Sequence, residues 1–466
     1  MRKKFLVQNI SYSFFANFVS LAVSLFMTLI VPKFLSVEDF GLWQLFLFYF
    51  SFLGFFHFGW EDGIYLRYAG KHFKELNTRL FAGQFYFIFI VQVIIAFMVC
   101  TMCFIVDLEH SKKIALICAV ALIPFVNFNN LCSFIMQITN RISDYAKILL
   151  TERVIYLLGV AYLLVFLDSH RFRDMYAAEV LAILGVSCVG GFLCRHLLMP
   201  HFPPVQEIMI ESIENISVGI KLLIANVAGI LIIGIIRYGI SLGWDVSTFG
   251  KVALSLNISN FLMVFINSVS VVFFPWIKSL DEDKRASVYM KIRDALTILL
   301  FGAMLGYYPI KFLLSLWLPK YADSFIYMSV LFPICLFEGK VSVLINTYLK
   351  SMRKEALMLK INMFSVLASI IVTLFSVTFF HNLTLAVFSI VFVCAFRCIL
   401  AEHVIGNLLD VQLGGKIFED IVMCTVFILV GCFFDGGLGM GLYCVAYAIY
   451  IVFHKKQAIT MIRGFQ

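Results

Sequence analysis

The chain has 466 residues, of which 62% are hydrophobic and only 14% charged, with 51 phenylalanines and a net charge of +8. Charged residues make up about a quarter of an ordinary soluble domain, so this composition excludes a cytosolic enzyme, a secreted disulfide scaffold and a disordered protein. The positive balance suits basic loops beside anionic lipid headgroups, and no compact basic run or basic–aromatic pattern points to nucleic acid.

A membrane-crossing helix needs about 20 mostly apolar residues. In chain order the qualifying stretches are 12–31, 42–60, 83–106, 114–136, 146–167, 177–198, 217–236, 250–273, 294–316, 324–346, 361–380, 383–402, 417–434 and 436–453. The first follows Met1-Arg2-Lys3-Lys4 and exceeds the apolar region of a signal peptide, about 7–15 residues. Val31-Pro32-Lys33 follows it rather than a cleavage site, so it reads as an uncleaved first helix. Within the third, Cys100 and Cys103 form a CxxC among Phe, Val, Met and Ile, which reads as buried, inert thiols. The ninth carries a Gly302–Gly306 pair at GxxxG spacing, a helix-packing signal. The last two stretches are divided only by Asp435 and nearby glycines.

With the amino terminus placed in the cytoplasm, the inner segments hold 26 Lys and Arg and the outer ones 9; Lys340, inside a span, completes the 36. That asymmetry predicts both termini on the cytoplasmic side. No loop is long enough for a soluble domain.

The chain also resembles itself. Asn9-Ile10-Ser11 matches Asn215-Ile216-Ser217, Phe40-Gly41 matches Phe249-Gly250, and Ile123-Pro124-Phe125 matches Phe332-Pro333-Ile334. Phe128, Ser133, Gln137 and Arg141 then align with Phe337, Ser342, Asn346 and Lys350. Six spans per unit is an even number, so the repeats are parallel, an arrangement that binds substrate between lobes. The expected organisation is an amino-terminal six-helix lobe at 1–200, a linker at 201–214, a second six-helix lobe at 215–410, and an extra helix pair with a tail at 411–466. The fold class is thus an all-α polytopic membrane protein of about fourteen helices.

Ionisable groups in lipid normally face protein or water. Glu338 and Lys340 lie in the tenth span, two residues apart, so an ideal helix cannot aim both at one spot. Lys340 therefore calls for a group on another helix, either as a structural ion pair or as a contact for an anion; Glu338, Ser342 and Asn346 share a face. Asn127, Asn130, Ser133 and Gln137 mark one side of the fourth span, Asn257, Asn260 and Asn267 one side of the eighth, and Ser13, Asn17, Ser20, Ser24 and Thr28 a stripe on the first. These line a hydrated lumen or glue helices together. Arg237, Lys221, Asn226 and Arg67 are candidate anion contacts, with interfacial anchoring as the alternative. Glu61 and Asp62 lie near Arg67, where the second span ends. Glu338 is the candidate for ion coupling. No P-loop, metal-binding histidine spacing or hydrolytic triad occurs, so neither a cofactor nor covalent chemistry is expected.

The segment Pro32-Lys33-Phe34-Leu35-Ser36-Val37-Glu38-Asp39-Phe40-Gly41, with Asn9-Ile10-Ser11 before it, resembles the first hairpin of Wzx-type polysaccharide flippases. These belong to the multidrug/oligosaccharidyl-lipid/polysaccharide exporter superfamily. Gly59 to Gly63-Ile64 with Arg67-Tyr68, and Gln137 to Lys147, resemble the loops after the second and fourth helices of that family. The resemblance implies a MATE-like fold in the bacterial cytoplasmic membrane and transfer of a polyprenyl-pyrophosphate-linked oligosaccharide between leaflets. It implies membrane lipid, a polysaccharide polymerase and chain-length machinery as partners. The rivals are a multidrug cation antiporter of the same superfamily and a membrane glycan polymerase or ligase.

Overall fold

The computed structural model describes residues 18–106, 108–168, 171–199, 203–263, 266, 277, 281–434 and 436–455. Among these the regular structure is entirely helical. The expectations on Asn9-Ile10-Ser11, Ser13, Asn17 and Asn267 lie outside the described residues.

Helix α1 covers Phe18–Phe34. Ser36 then caps α2 (Val37–Phe50), its hydroxyl accepting from the Asp39 amide at 3.0 Å. Asp39 also accepts from the Phe172 amide at 2.9 Å, so one carboxylate serves two helix starts, where anionic groups are favoured. After a tight turn at Leu53–His57 the chain passes through two left-handed residues, Phe58 and Gly59. It continues as α3 (Trp60–Tyr68), α4 (Thr78–Ile105), α5 (His110–Val120), α6 (Ile123–Ile138), α7 (Ile142–Val165) and α8 (Phe172–Leu193). Asn77 caps α4. Helix α9 (Val205–Gly243) runs for 39 residues, so the stretch 201–214, expected as a linker, is helical from Val205 onward. Next comes α10 (Val246–Ser259).

The remaining helices are α11 (Glu282–Met304), α12 (Tyr307–Trp317), α13 (Phe325–Leu331), α14 (Ile334–Ser351), α15 (Glu355–Phe379), α16 (Leu383–Leu409), α17 (Gly414–Phe433) and α18 (Gly436–Phe453). Pro333 opens α14, and the chain bends by 44° between Pro319–Leu331 and α14. Within α14 the residues Lys340–Ile345 form a π-helical turn.

The fourteen apolar stretches fall on these helices, the eighth being described mainly over α10. Among the described residues ten helical stretches are long and apolar enough to cross a membrane, counting α2 with the turn after it, α5 with α6 and α11 with α12 as one stretch each, and the bent pair makes an eleventh. α17 falls short because Lys416, Glu419 and Asp420 occupy its first two turns. Apolar side chains point outward along these helices; Ile105 of α4 is 83% exposed. Surfaces of this kind belong in hydrocarbon. The chain is an all-helical, multi-pass membrane protein.

Two compact units emerge: residues up to Val227 with Val246–Gly250, and Ala228–Asp245 with everything from Lys251 onward. In the first, Trp60, Phe81, Phe85, Leu131, Cys132 and Met136 belong to one buried cluster. The repeated Phe-Gly pairs meet there: a Cβ on Gly250 would lie 2.6 Å from the Gly41 Cα. In the second, Tyr307, Phe332, Phe427 and Tyr443 form an edge-to-face aromatic core, a favoured ring geometry.

Candidate functional site

Helix α14 carries the most distinctive surface. From Met328 to Leu349 every residue is buried except Glu338, Ser342 and Asn346, all half-buried and spaced by four. Its other side chains over this stretch are buried, so this polar edge is the side of the stretch on which a polar ligand could reach it. The π-helical turn keeps a four-residue spacing aligned, and such turns recur at functional sites.

Glu338 does not stand alone. Arg397 of α16 donates from Nη1 to both of its carboxylate oxygens, at 3.1 and 2.9 Å. The Arg397 Nε donates to Asn362 Oδ1 of α15 at 3.1 Å. Glu338 and Arg397 are 17% and 10% exposed. The residue expected to couple an ion is thus bound to a cation at the polar edge.

Lys340 faces a different direction. Its ammonium lies between Glu402 of α16, at 3.4 Å, and Asp420 of α17. Arg293 of α11 completes the group with a fork onto Glu402 (Nε to Oε1 2.8 Å, Nη2 to Oε2 3.1 Å) and a 2.5 Å bond to Asp420. None of the four side chains is more than 4% exposed. Two cations and two anions cancel, so Lys340 has no surplus charge for a phosphate and is a structural ion-pair partner. The reason is steric as well: the carboxylates occupy the space around the ammonium.

In the first unit Asn127 is also drawn away from a lumen. It is fully buried, and its Nδ2 donates to Leu53 O (3.1 Å), Gln92 Oε1 (3.0 Å) and Ile123 O (3.0 Å). It ties the turn before α3 to α4 and α6. Asn130, Ser133 and Gln137 are half-buried on the same helix. Arg67 is held by Glu211 (2.6 Å), Glu214 (2.6 Å) and Asn215 (2.5 Å) of α9. Two carboxylates pair with it, and the group clasps α3 to α9. Beside it Gly63 and Gly219 let the α3 and α9 backbones touch: a Cβ on Gly63 would strike the Asn215 carbonyl. Glu61, on α3 outside the spanning helices, is wholly buried, and both carboxylate oxygens lack a hydrogen-bond partner among the described residues. Burial, then the neighbouring Asp62 charge, holds its carboxyl well above the ordinary carboxylate range.

Lys221 and Asn226 lie exposed on α9, and Arg237 is half-buried further along the same helix. On α10 the stretch Val252–Ser259 is buried except for Asn257, and Asn260 after it is half-buried. The sequence reading had passed over Arg293, Asn362, Arg397, Glu402 and Asp420. Their signal was present, since Arg397, Glu402 and Asp420 interrupt apolar stretches. What a linear reading could not supply was which cation met which anion.

These features define a helical membrane bundle with charged clusters at depth. Among solved structures, the lipid II flippase MurJ in an inward-closed conformation aligns over 96% of this chain and 99% of its own, with a TM-score of 0.64 and 11% identity. An inward-facing multidrug resistance MATE family transporter of the MOP superfamily aligns over 88% of this chain and 98% of its own, with a TM-score of 0.55 and 12% identity. At such identities the likeness is one of fold. No protein-family model and no curated protein matches the sequence.

Proposed function

We propose that this protein is a flippase that moves a polyprenyl-pyrophosphate-linked oligosaccharide across the bacterial cytoplasmic membrane by alternating access. The observation that carries the reading is the polar edge of α14: a carboxylate, a hydroxyl and an amide on a helix whose other side chains from Ile334 to Leu349 are buried. The hydroxyl and the amide both donate to and accept from sugar hydroxyls, and a carboxylate accepts from them. Within the same unit the half-buried Asn257 and Asn260 add amides of the same kind, and Arg237 is a candidate anion contact. The fold likeness to the lipid II flippase MurJ over 96% of this chain supports the same reading.

The physics of the substrate fits. Its head cannot cross hydrocarbon unaided, while removing its tail from lipid would cost about 0.8 kcal/mol per CH₂. A bundle that guides the head and leaves the tail in lipid meets both demands with no covalent step. A cation antiporter needs carboxylates free to meet its substrate. In the second unit Glu338, Glu402, Asp420 and Asp294 each already contact Arg or Lys, which disfavours that rival.

The test is depletion in cells with the lipid-linked precursor assayed by leaflet. Accumulation on the cytoplasmic face with loss of surface glycan is expected. Single units appearing outside would instead indicate a polymerase or ligase, and altered drug sensitivity with normal glycan export an antiporter.

A further inference from the structure

We infer that Arg397 is an exchangeable anion site, at which the Glu338 carboxylate is the resident occupant and a substrate diphosphate takes its place. This rests on the flippase reading and names how its anionic group would be held. Arg397 is the fifteenth residue of the 27-residue α16, which at 1.5 Å per residue places it about 21 Å along the helix, near mid-membrane.

Three features separate this pair from the buried quartet. The first is access: Glu338 sits on the one polar edge of α14, whereas Arg293, Lys340, Glu402 and Asp420 are sealed. The second is geometry. Arg293 spreads its fork over both oxygens of Glu402 from two nitrogens, the strong bidentate arrangement. Arg397 places both Glu338 oxygens on the single nitrogen Nη1. The planar fork of Arg397 is therefore not used in the way that suits it best, and a diphosphate, with more oxygens and more charge, can use it. The third is preorganisation. Asn362 holds Nε independently of Glu338, so the guanidinium keeps its aim when the carboxylate swings toward Ser342 and Asn346.

The exchange also suits transport. A bare guanidinium at this depth would be costly, so a resident carboxylate keeps the empty carrier neutral at this position. It also keeps the resting site closed to weaker anions, since an incoming ligand must outcompete a tethered carboxylate.

Purified full-length protein in lipid nanodiscs tests this with two probes, inorganic pyrophosphate and undecaprenyl pyrophosphate. Glu338→Gln removes the competitor and should tighten binding by about tenfold, whereas Arg397→Lys, which keeps the charge but loses the fork, should weaken it by about tenfold. The gain in Glu338→Gln cannot arise from misfolding. Shifts in both arms assign the site to the diphosphate itself, and shifts confined to the lipid probe assign it to the lipid-borne form; either supports the exchange. Wild-type binding with unchanged or weakened affinity in Glu338→Gln overturns it and leaves the flippase reading intact. Wild-type protein that binds neither probe overturns it too, while the leaflet assay judges the flippase reading separately.

Discussion

Removing one member of the Arg293–Lys340–Glu402–Asp420 quartet should be far worse than removing a balanced pair. Lys340→Met leaves one surplus negative charge in a site where no side chain is more than 4% exposed. Asp420→Asn leaves one surplus positive charge among the same helices. Stranding a buried charge in this way costs about 3–5 kcal/mol, whereas replacing a whole pair is often close to neutral. Three kcal/mol lowers a folding equilibrium by roughly a hundredfold, at about 1.4 kcal/mol per tenfold. The double variant Lys340→Met with Asp420→Asn keeps Arg293 forked on Glu402 and restores neutrality. Thermal stability in detergent, followed by size-exclusion chromatography with all three variants in one cycle, measures the coupling. Both single variants should lose most of the folded peak and the double variant should regain it, along with glycan export. A Lys340→Met protein that melts like wild type yet exports nothing would refute the structural assignment and return Lys340 to the substrate path.

Gly63→Ala and Gly219→Ala should each push α3 off α9, since the new methyl meets backbone rather than a flexible side chain; overpacking of this kind costs about 1–3 kcal/mol, read as a lower melting temperature. Asn127→Leu should strip the Leu53 carbonyl and Gln92 Oε1 of a donor, costing about 1–3 kcal/mol, and a wild-type melting curve would count against the tie between α3, α4 and α6. Glu61 supplies a pH test. Its folded pKa is raised above the ordinary 4.5 by burial, so above that value the unfolded chain has released a proton that the fold retains. The fold therefore loses stability as pH rises above the ordinary carboxylate range, and Glu61→Gln should gain on wild type as pH is raised through and above that range. A constant difference between the two melting temperatures would remove the buried, protonated carboxyl from the account.

The Phe40-Gly41 and Gly59-to-Gly63 motifs show how sequence and structure divide the explanation. Both were conspicuous in the sequence, and both turn out to be places where backbone meets backbone: Gly41 against Gly250, Gly63 against Asn215. Arg67-Tyr68 belongs to the second motif because both side chains grip Glu211. Hydropathy alone located the apolar stretches on which the described helices fall, because lipid solvation acts on each helix separately and about twenty apolar residues suffice. It also marked Glu338, Lys340 and the Asn clusters as unusual at depth. It could not decide their roles. Lys340 and Glu338 are two residues apart, yet one is locked in a neutral quartet and the other is half-buried and paired with Arg397. That outcome depends on Glu402, Asp420 and Arg397, 62, 80 and 59 residues away from their partners. The energy of a buried charge is set by whichever opposite charge the fold brings within a few ångströms, and only the packing of α11, α14, α16 and α17 determines that.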